Sequence, residues 1–273
     1  MIETWWGLAL LTVAVAALAM LATAYAARRA GRVSVVDVTW GLALGLIAVA
    51  AAVVGTGTPW RRWLVAFLVV VWGVRLSRHV FSRARGQGED PRYAELLGGG
   101  GQRAALRKVY LPQGLAICLL ALPIMASAHW DVAAAWVVWV GAVVWAVGVW
   151  FEAVGDAQLA AYKRDPDRDP DRGPIMDRGL WGWTRHPNYF GDALLWWGIW
   201  LAGGLASGWW PGLVSVLAPL AMTHFLRNVT GAKLLEQTMS QRDGWAEYAA
   251  RVPLFVPRPG RRSGRRSGRR SSR

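Results

Sequence analysis

The stretch Trp5–Ala26, WWGLALLTVAVAALAMLATAYA, contains no charged residue. As a helix rising 1.5 Å per residue it would reach about 33 Å, enough to cross the hydrocarbon of a bilayer. In hydrocarbon a backbone must satisfy its own N–H and C=O groups, so such a run is helical. Comparable runs follow at roughly residues 35–55, 63–80, 109–128, 133–154, 189–206 and 210–228. The expectation is an all-α integral membrane protein with about seven transmembrane helices. Trp5, Trp60, Trp63, Trp130, Trp209 and Trp210 stand at run ends, where indole suits the membrane interface. Arg75 and Arg78 fall in the inner turns of the third run and are expected to snorkel. Pro112 and Pro123 predict a kink in the fourth. Glu3, rather than a basic segment, precedes the first run, which predicts a retained helix and not a signal peptide.

Charge supports this reading. The net charge is +14, but the basic residues lie between apolar runs and in the tail. That is a topology signal, and no nucleic-acid partner is expected. The loops after the first, third and fifth runs are the basic ones, which predicts the N-terminus outside and the C-terminus cytoplasmic. Arg61 and Arg62 alone oppose it. The tail, residues 258–273, repeats Arg-Arg-Ser-Gly units and is expected to be disordered, with attraction to anionic headgroups as a second role. Cys118 is the only cysteine, so no intrachain disulfide can form. The loop 165–172, DPDRDPDR, has acidic side chains but also prolines and interleaved arginines. It reads as a linker or lid, and no metal site is assigned. Nothing in the sequence fixes the oligomeric state.

The densest polar cluster is DRGLWGWTRHPNYFGD, residues 177–192. Pro187 fixes its own φ near the helical value and disfavours helix at the preceding His186. A helix is therefore expected to start near Asn188, with Arg185 and His186 just outside it. Free N–H groups and the positive end of the helix dipole would then adjoin two basic side chains, a combination suited to an anion.

The Arg-His-Pro-Asn-Tyr-x-Gly core of this cluster resembles the signature of the steroid 5α-reductase C-terminal domain superfamily, in particular its bacterial membrane branch. A looser form, Arg-His-Pro-x-Tyr-x-Gly, is shared with sterol reductases and isoprenylcysteine carboxyl methyltransferases. The resemblance runs from about Val33 to Pro257 and implies a multi-pass protein of the bacterial inner (plasma) membrane. It implies three regions: residues 1–132 as the lipid-substrate half, 133–257 as the cofactor domain, and 258–273 as the tail. It implies NADPH as cofactor, held by Glu152, Asp156, Lys163, Arg164, Arg185, His186, Asn188, Tyr189, Asp192, Trp196, Glu236 and Tyr248. Among these, Glu152 stands where the eukaryotic reductases commonly have Asn, and Asp192 where Glu is usual. Lys163 and Arg164 are the cations suited to a cofactor phosphate.

On the substrate side, Asp37 is an ionisable group near apolar surroundings and a candidate proton donor. His79 and Arg83 resemble a His-Tyr-Phe-His-Arg segment of the reductases in which Val80 replaces the Tyr. Tyr93, within Glu-Asp-Pro-Arg-Tyr, is the candidate substitute hydroxyl. Asp37, His79 and Tyr93 are thus the candidate catalytic residues. The expected activity is NADPH-dependent reduction of a carbon–carbon double bond in a lipid-soluble steroid, enone or fatty-acyl-like substrate. Two other readings are open: an S-adenosylmethionine-dependent methyltransferase of the isoprenylcysteine carboxyl type, and a non-catalytic lipid-binding protein.

Overall fold

The computed structural model describes residues 1–164, 175–229 and 231–259. The linker 165–172 and the tail beyond Pro259 lie outside the described residues. The helices are α1 (Trp5–Ala30), α2 (Val36–Val54), α3 (Pro59–Ala84), α4 (Pro91–Leu97), α5 (Gly101–Ala105), α6 (Leu111–Leu120), α7 (Leu122–His129), α8 (Ala135–Arg164), α9 (Pro187–Ile199), α10 (Trp209–Ser215), α11 (Leu217–His224), α12 (Ala232–Met239) and α13 (Trp245–Arg251). No strand occurs among the described residues. The protein is an all-α membrane protein.

Among the described residues, six helical stretches are long and apolar enough to cross a membrane: Trp5–Ala30, Val33–Val54, Pro59–Ala84, Gly101–His129, Ala135–Arg164 and Trp209–Met239. The expected span at 189–206 is not among these six. Its regular α-helix, α9, ends at Ile199 after 13 residues. It continues as a π turn (Trp200–Gly204) and a 3₁₀ turn (Leu205–Ser207). The third span is longer than expected, 26 residues in place of the run 63–80. The fourth begins earlier, at Gly101, and its ladder is interrupted at Ala121 just before Pro123. Pro123 has no N–H to donate into the preceding turn, which accounts for the break.

The chain forms two compact units, residues 1–149 with 192–225, and residues 150–191 with 226 onward. In the first unit, Thr4 caps α1 by accepting from the Gly7 N–H at 3.1 Å, and Gly31 closes it in the left-handed conformation, φ 67°. Helices α2 and α3 form an antiparallel pair that meets at Gly41 and Gly73. A Cβ on either glycine would run into the backbone of the other, so the two main chains touch with no side chain between them. The Ser77 hydroxyl donates to the Val38 carbonyl at 2.7 Å and keeps the far ends of the pair level.

Arg61 and Arg62, which oppose the charge-based topology in the sequence, have structural work in the first unit. Arg61 is fully buried. Its guanidinium donates to Ser207 Oγ at 2.7 Å, to the Ser127 carbonyl at 3.1 Å and to the Trp130 carbonyl. Arg62 donates to the Gly55 carbonyl. Both cations thus satisfy carbonyls at helix C-terminal ends, where the partial charge is negative.

The second unit contains the end of α8, a 3₁₀ turn at Gly179–Gly182, the start of α9, and α12 and α13. Its apolar core is Ile175, Trp245, Tyr248 and Val252, with Met239 and Ala249 packed against it.

The buried Arg61 generates a test. Arg61→Ala strands the Ser127 and Trp130 carbonyls in a buried site, at a cost of about 1–3 kcal/mol for each group left unpaired. Thermal unfolding of the detergent-solubilised variant should begin several degrees below wild type, and an unchanged midpoint would show that these contacts carry no stability.

Candidate functional site

The second unit brings most of the expected cofactor set together. The loop before α9 is laced to the C-terminal segment. The Arg185 N–H donates to the Pro253 carbonyl at 3.0 Å, and the Arg258 N–H to the Trp183 carbonyl at 2.9 Å. The fully buried Thr184 donates its hydroxyl to the Phe255 carbonyl at 2.9 Å. From the other side, Gln158 Oε1 accepts from the Leu180 N–H at 3.0 Å, and the Trp181 indole donates to the Gly155 carbonyl at 3.0 Å. The Tyr248 hydroxyl donates to the Trp181 carbonyl at 2.8 Å. Gly155 lets the loop approach closely: a Cβ there would lie 3.1 Å from Pro187 and 3.2 Å from the Asn188 nitrogen.

Within this frame Arg185 Nε lies 3.1 Å from Glu236 Oε1, and its guanidinium sits over the Trp245 ring, 5.7 Å from the centroid. The Nε contact is close enough for an ion pair but not aligned as a hydrogen bond. His186 Nε2 reaches the same Glu236 oxygen at 3.3 Å, and its ring stacks on Tyr189, centroids 5.7 Å apart and planes 12° off parallel. Asn188 Nδ2 donates to Asp156 Oδ1 at 3.1 Å. Glu152 is buried, while Lys163 and Arg164 are exposed at the end of α8.

The electrostatics differ from a simple cationic cup. Burial, with the Arg185 charge beside it, depresses His186 to a pKa of about 4. The imidazole is neutral at pH 7, and Glu236 offsets Arg185. The exposed positive charge of the set sits on Lys163 and Arg164. Burial also raises the Tyr248 phenol well above its ordinary value, so it stays protonated and donates to the Trp181 carbonyl.

The remaining candidates belong to the first unit. Asp192 is buried and accepts from the Trp72 indole at 2.9 Å; Trp196, fully buried, meets Trp72 edge to face with centroids 5.1 Å apart. His79 is half-buried on α3 and lines an open hollow of about 620 Å³ on one face of that helix. The Tyr93 hydroxyl donates to Asp37 Oδ1 at 2.5 Å, which joins two of the three candidate catalytic residues. Arg92 lies 3.7 Å from Asp37 Oδ2 and forks onto Asp90 at 2.7–3.2 Å. Glu89 accepts from the Ser34 N–H at 3.0 Å and from the Val33 N–H, tying this loop to the start of α2. Burial first, and the Asp37 charge second, hold the Tyr93 phenol well above its ordinary value of 10. Three residues past Asp37, the buried Trp40 indole N–H meets no acceptor among the described residues.

A family model described as a protein of unknown function, DUF1295, matches residues 24–252. The chain belongs to this family. DUF1295 is linked to steroid 5α-reductase-like proteins. No curated protein and no solved structure matches the chain.

Sequence reading of this DUF1295 member had missed Gln158, Thr184 and Trp72. Each contacts its partner across at least 22 positions, and no local pattern marks such a contact. Trp245, which covers Arg185, was likewise unmarked.

The His186 environment predicts a pH response. An unfolded His protonates near 6.5, whereas the folded one resists until about pH 4. The unfolded state then binds more protons between these values, so stability falls as pH is lowered through that window and levels off below it. Glu236 and Arg185 are the charged groups facing this ring. Thermal unfolding from pH 7 to pH 4 should show the decline, and His186→Gln should flatten it; an equally steep decline in the variant would assign it to other groups.

Proposed function

We propose that the chain is a membrane-embedded, NADPH-dependent reductase acting on a carbon–carbon double bond of a lipid-soluble substrate. The observation that carries the reading is the partly buried Tyr93–Asp37 pair at 2.5 Å. The Tyr93 hydrogen rests on Asp37, and burial keeps the phenol protonated, so Tyr93 acts on a substrate by turning that hydrogen from the carboxylate to a substrate oxygen. Tyr93 is the donor in this reading. Asp37 orients its hydroxyl, and Arg92, at 3.7 Å from Asp37, offsets the negative charge that remains after the proton leaves. The unpartnered Trp40 N–H is a second donor near this end of α2.

The second unit has a donor set suited to a phosphorylated dinucleotide. Arg185 is a partly buried guanidinium whose Nε meets no aligned acceptor among the described residues. Asp156 and Asn188 together offer a carboxylate and an amide, the groups that read ribose hydroxyls and a carboxamide. Lys163 and Arg164 are the cations for phosphate. Glu152, His186, Tyr189, Glu236 and Tyr248 complete the proposed binding set. When bound, NADPH supplies the hydride. The chain's own part is to hold the reactants in place, exclude water and deliver the proton from Tyr93.

The test is thermal unfolding of the purified protein with NADPH and, separately, with S-adenosylmethionine. NADPH should raise the midpoint and the methyl donor should not. Protection by S-adenosylmethionine instead would turn the reading to a methyltransferase; protection by neither would leave a lipid-binding protein. Arg185→Ala should abolish NADPH protection. Tyr93→Phe should keep that protection yet slow substrate-dependent NADPH oxidation by about 10²- to 10⁴-fold, the range for a lost general acid.

A further inference from the structure

Neither α1 nor the span Gly101–His129 contains an acidic residue. The two pack together in the first unit. A Cβ on Gly114 would lie 3.4 Å from the Met20 side chain, and nearer the C-terminal end of α1 the Arg28 Nε donates to Gln102 Oε1 at 3.1 Å. That bond joins one end of each helix, and five cations stand around it. Arg28 and Arg29 occupy the last turn of α1. Arg103, Arg107 and Lys108 occupy the first two turns of the span. All five are exposed. The Arg29 guanidinium folds back over the Tyr25 ring, 5.2 Å from its centroid, and donates to the Tyr25 hydroxyl at 2.8 Å. Lys108 Nζ donates to the Leu96 carbonyl at 2.8 Å. Basic side chains reaching back along a helix end beside an aromatic ring are typical of a membrane interface.

Toward the middle of both helices the surface turns apolar. On α1, Leu18, Leu21 and Tyr25 are 60–67% exposed and share one face, at i, i+3 and i+7. On the span, residues 106–110 form a π turn. Its wider turn sets Leu106 and Leu111 on one face, and Leu115 follows one turn later. These three leucines are 56–63% exposed.

The charge of the adjoining groups selects what covers this surface. In the neighbouring loop, Glu89 accepts from the Ser34 and Asp90 N–H groups at 3.0 Å and from the Val33 N–H. Asp90 is forked by Arg92, and Glu95 is exposed on α4. The band of five therefore keeps a positive surplus. We propose that the Arg28–Gln102 junction binds an anionic phospholipid, its phosphate among Arg28, Arg103, Arg107 and Lys108 and its chains against the exposed leucines. Clustered basic residues at a helix end attract anionic headgroups, and guanidinium groups match phosphate oxygens. A zwitterionic headgroup would add its own cation to the same band.

The inference goes beyond the proposed reduction and needs no cofactor. Its test is native mass spectrometry of the full-length protein, titrated in detergent with equimolar dioleoyl phosphatidylglycerol and dioleoyl phosphatidylcholine. Preferential, saturable retention of phosphatidylglycerol is expected. Arg28→Gln combined with Arg107→Gln should weaken it about 25-fold, about fivefold for each charge removed. Arg103→Gln combined with Arg107→Gln leaves the Arg28–Gln102 bond in place and should weaken it equally, which keeps the test open if the first variant fails to fold. Neutralising tail cations, Arg261→Gln, Arg262→Gln, Arg265→Gln and Arg266→Gln together, should change nothing.

Equal retention of the two lipids would make the surface merely apolar. Displacement by an equal concentration of glycerol 3-phosphate would make it a simple anion site. Loss of retention in the tail variant alone would move the lipid to the tail. Each of these outcomes overturns the proposal, as does unchanged retention in both helix variants. Thermal protection by NADPH is a separate readout, so either reading can fail while the other stands.

Discussion

Hydrocarbon offers the backbone no hydrogen-bond partner, and most of this architecture follows from that constraint. Long helices are the direct solution. The informative places are those where a helix stops or breaks and its carbonyls need another donor. Arg61 and Arg62 supply that donor at the ends of α7 and α2. Ser207 takes part in the Arg61 cluster and also donates to the Gly203 carbonyl, 2.8 Å away, in the π turn after α9. A charge deep in such a setting is tolerable because several oxygens surround it.

The same principle governs the polar residues that bear on chemistry. Asp37 is accommodated near apolar surroundings because the Tyr93 hydroxyl and the Arg92 guanidinium meet it. Arg185 is accommodated because Glu236 meets its charge and Trp245 covers its face. Arg185 and Glu236 balance one another, so binding a charged ligand there means exchanging a partner, whereas Arg92 is shared between Asp37 and Asp90. Lys163 and Arg164 are exposed, which makes them the first contact for an approaching phosphate in the proposed reading.

Sequence made the helices legible because hydropathy is a property of a contiguous run. The start of α9 at Pro187 followed from proline stereochemistry alone. The pairing of His186 and Arg185 with Glu236 was not legible, since 50 positions separate His186 from that carboxylate. The family resemblance supplied those residues as a set, but not the fact that Glu236 neutralises Arg185. The end of α9 at Ile199 was also hidden: an apolar run does not reveal a switch from α to π hydrogen bonding. Asp37 and Tyr93 stood out separately as candidates, and only the loop fixed by Glu89 and Arg32 brings them together. Arg61 and Arg62 donate to backbone carbonyls, a role that charge counting does not register.

The Gly41–Gly73 contact has a mechanical consequence. Two backbones in direct touch form a hard stop, with no side chain that could be trimmed or enlarged to adjust the spacing. Asp37 lies one turn from one glycine, and Ser77 one turn from the other. The interval between the two is therefore fixed like the jaws of a caliper. In the proposed reading, a change of ligand at this end would have to come through the loop bearing Tyr93, because the glycine contact cannot be moved without unseating both helices.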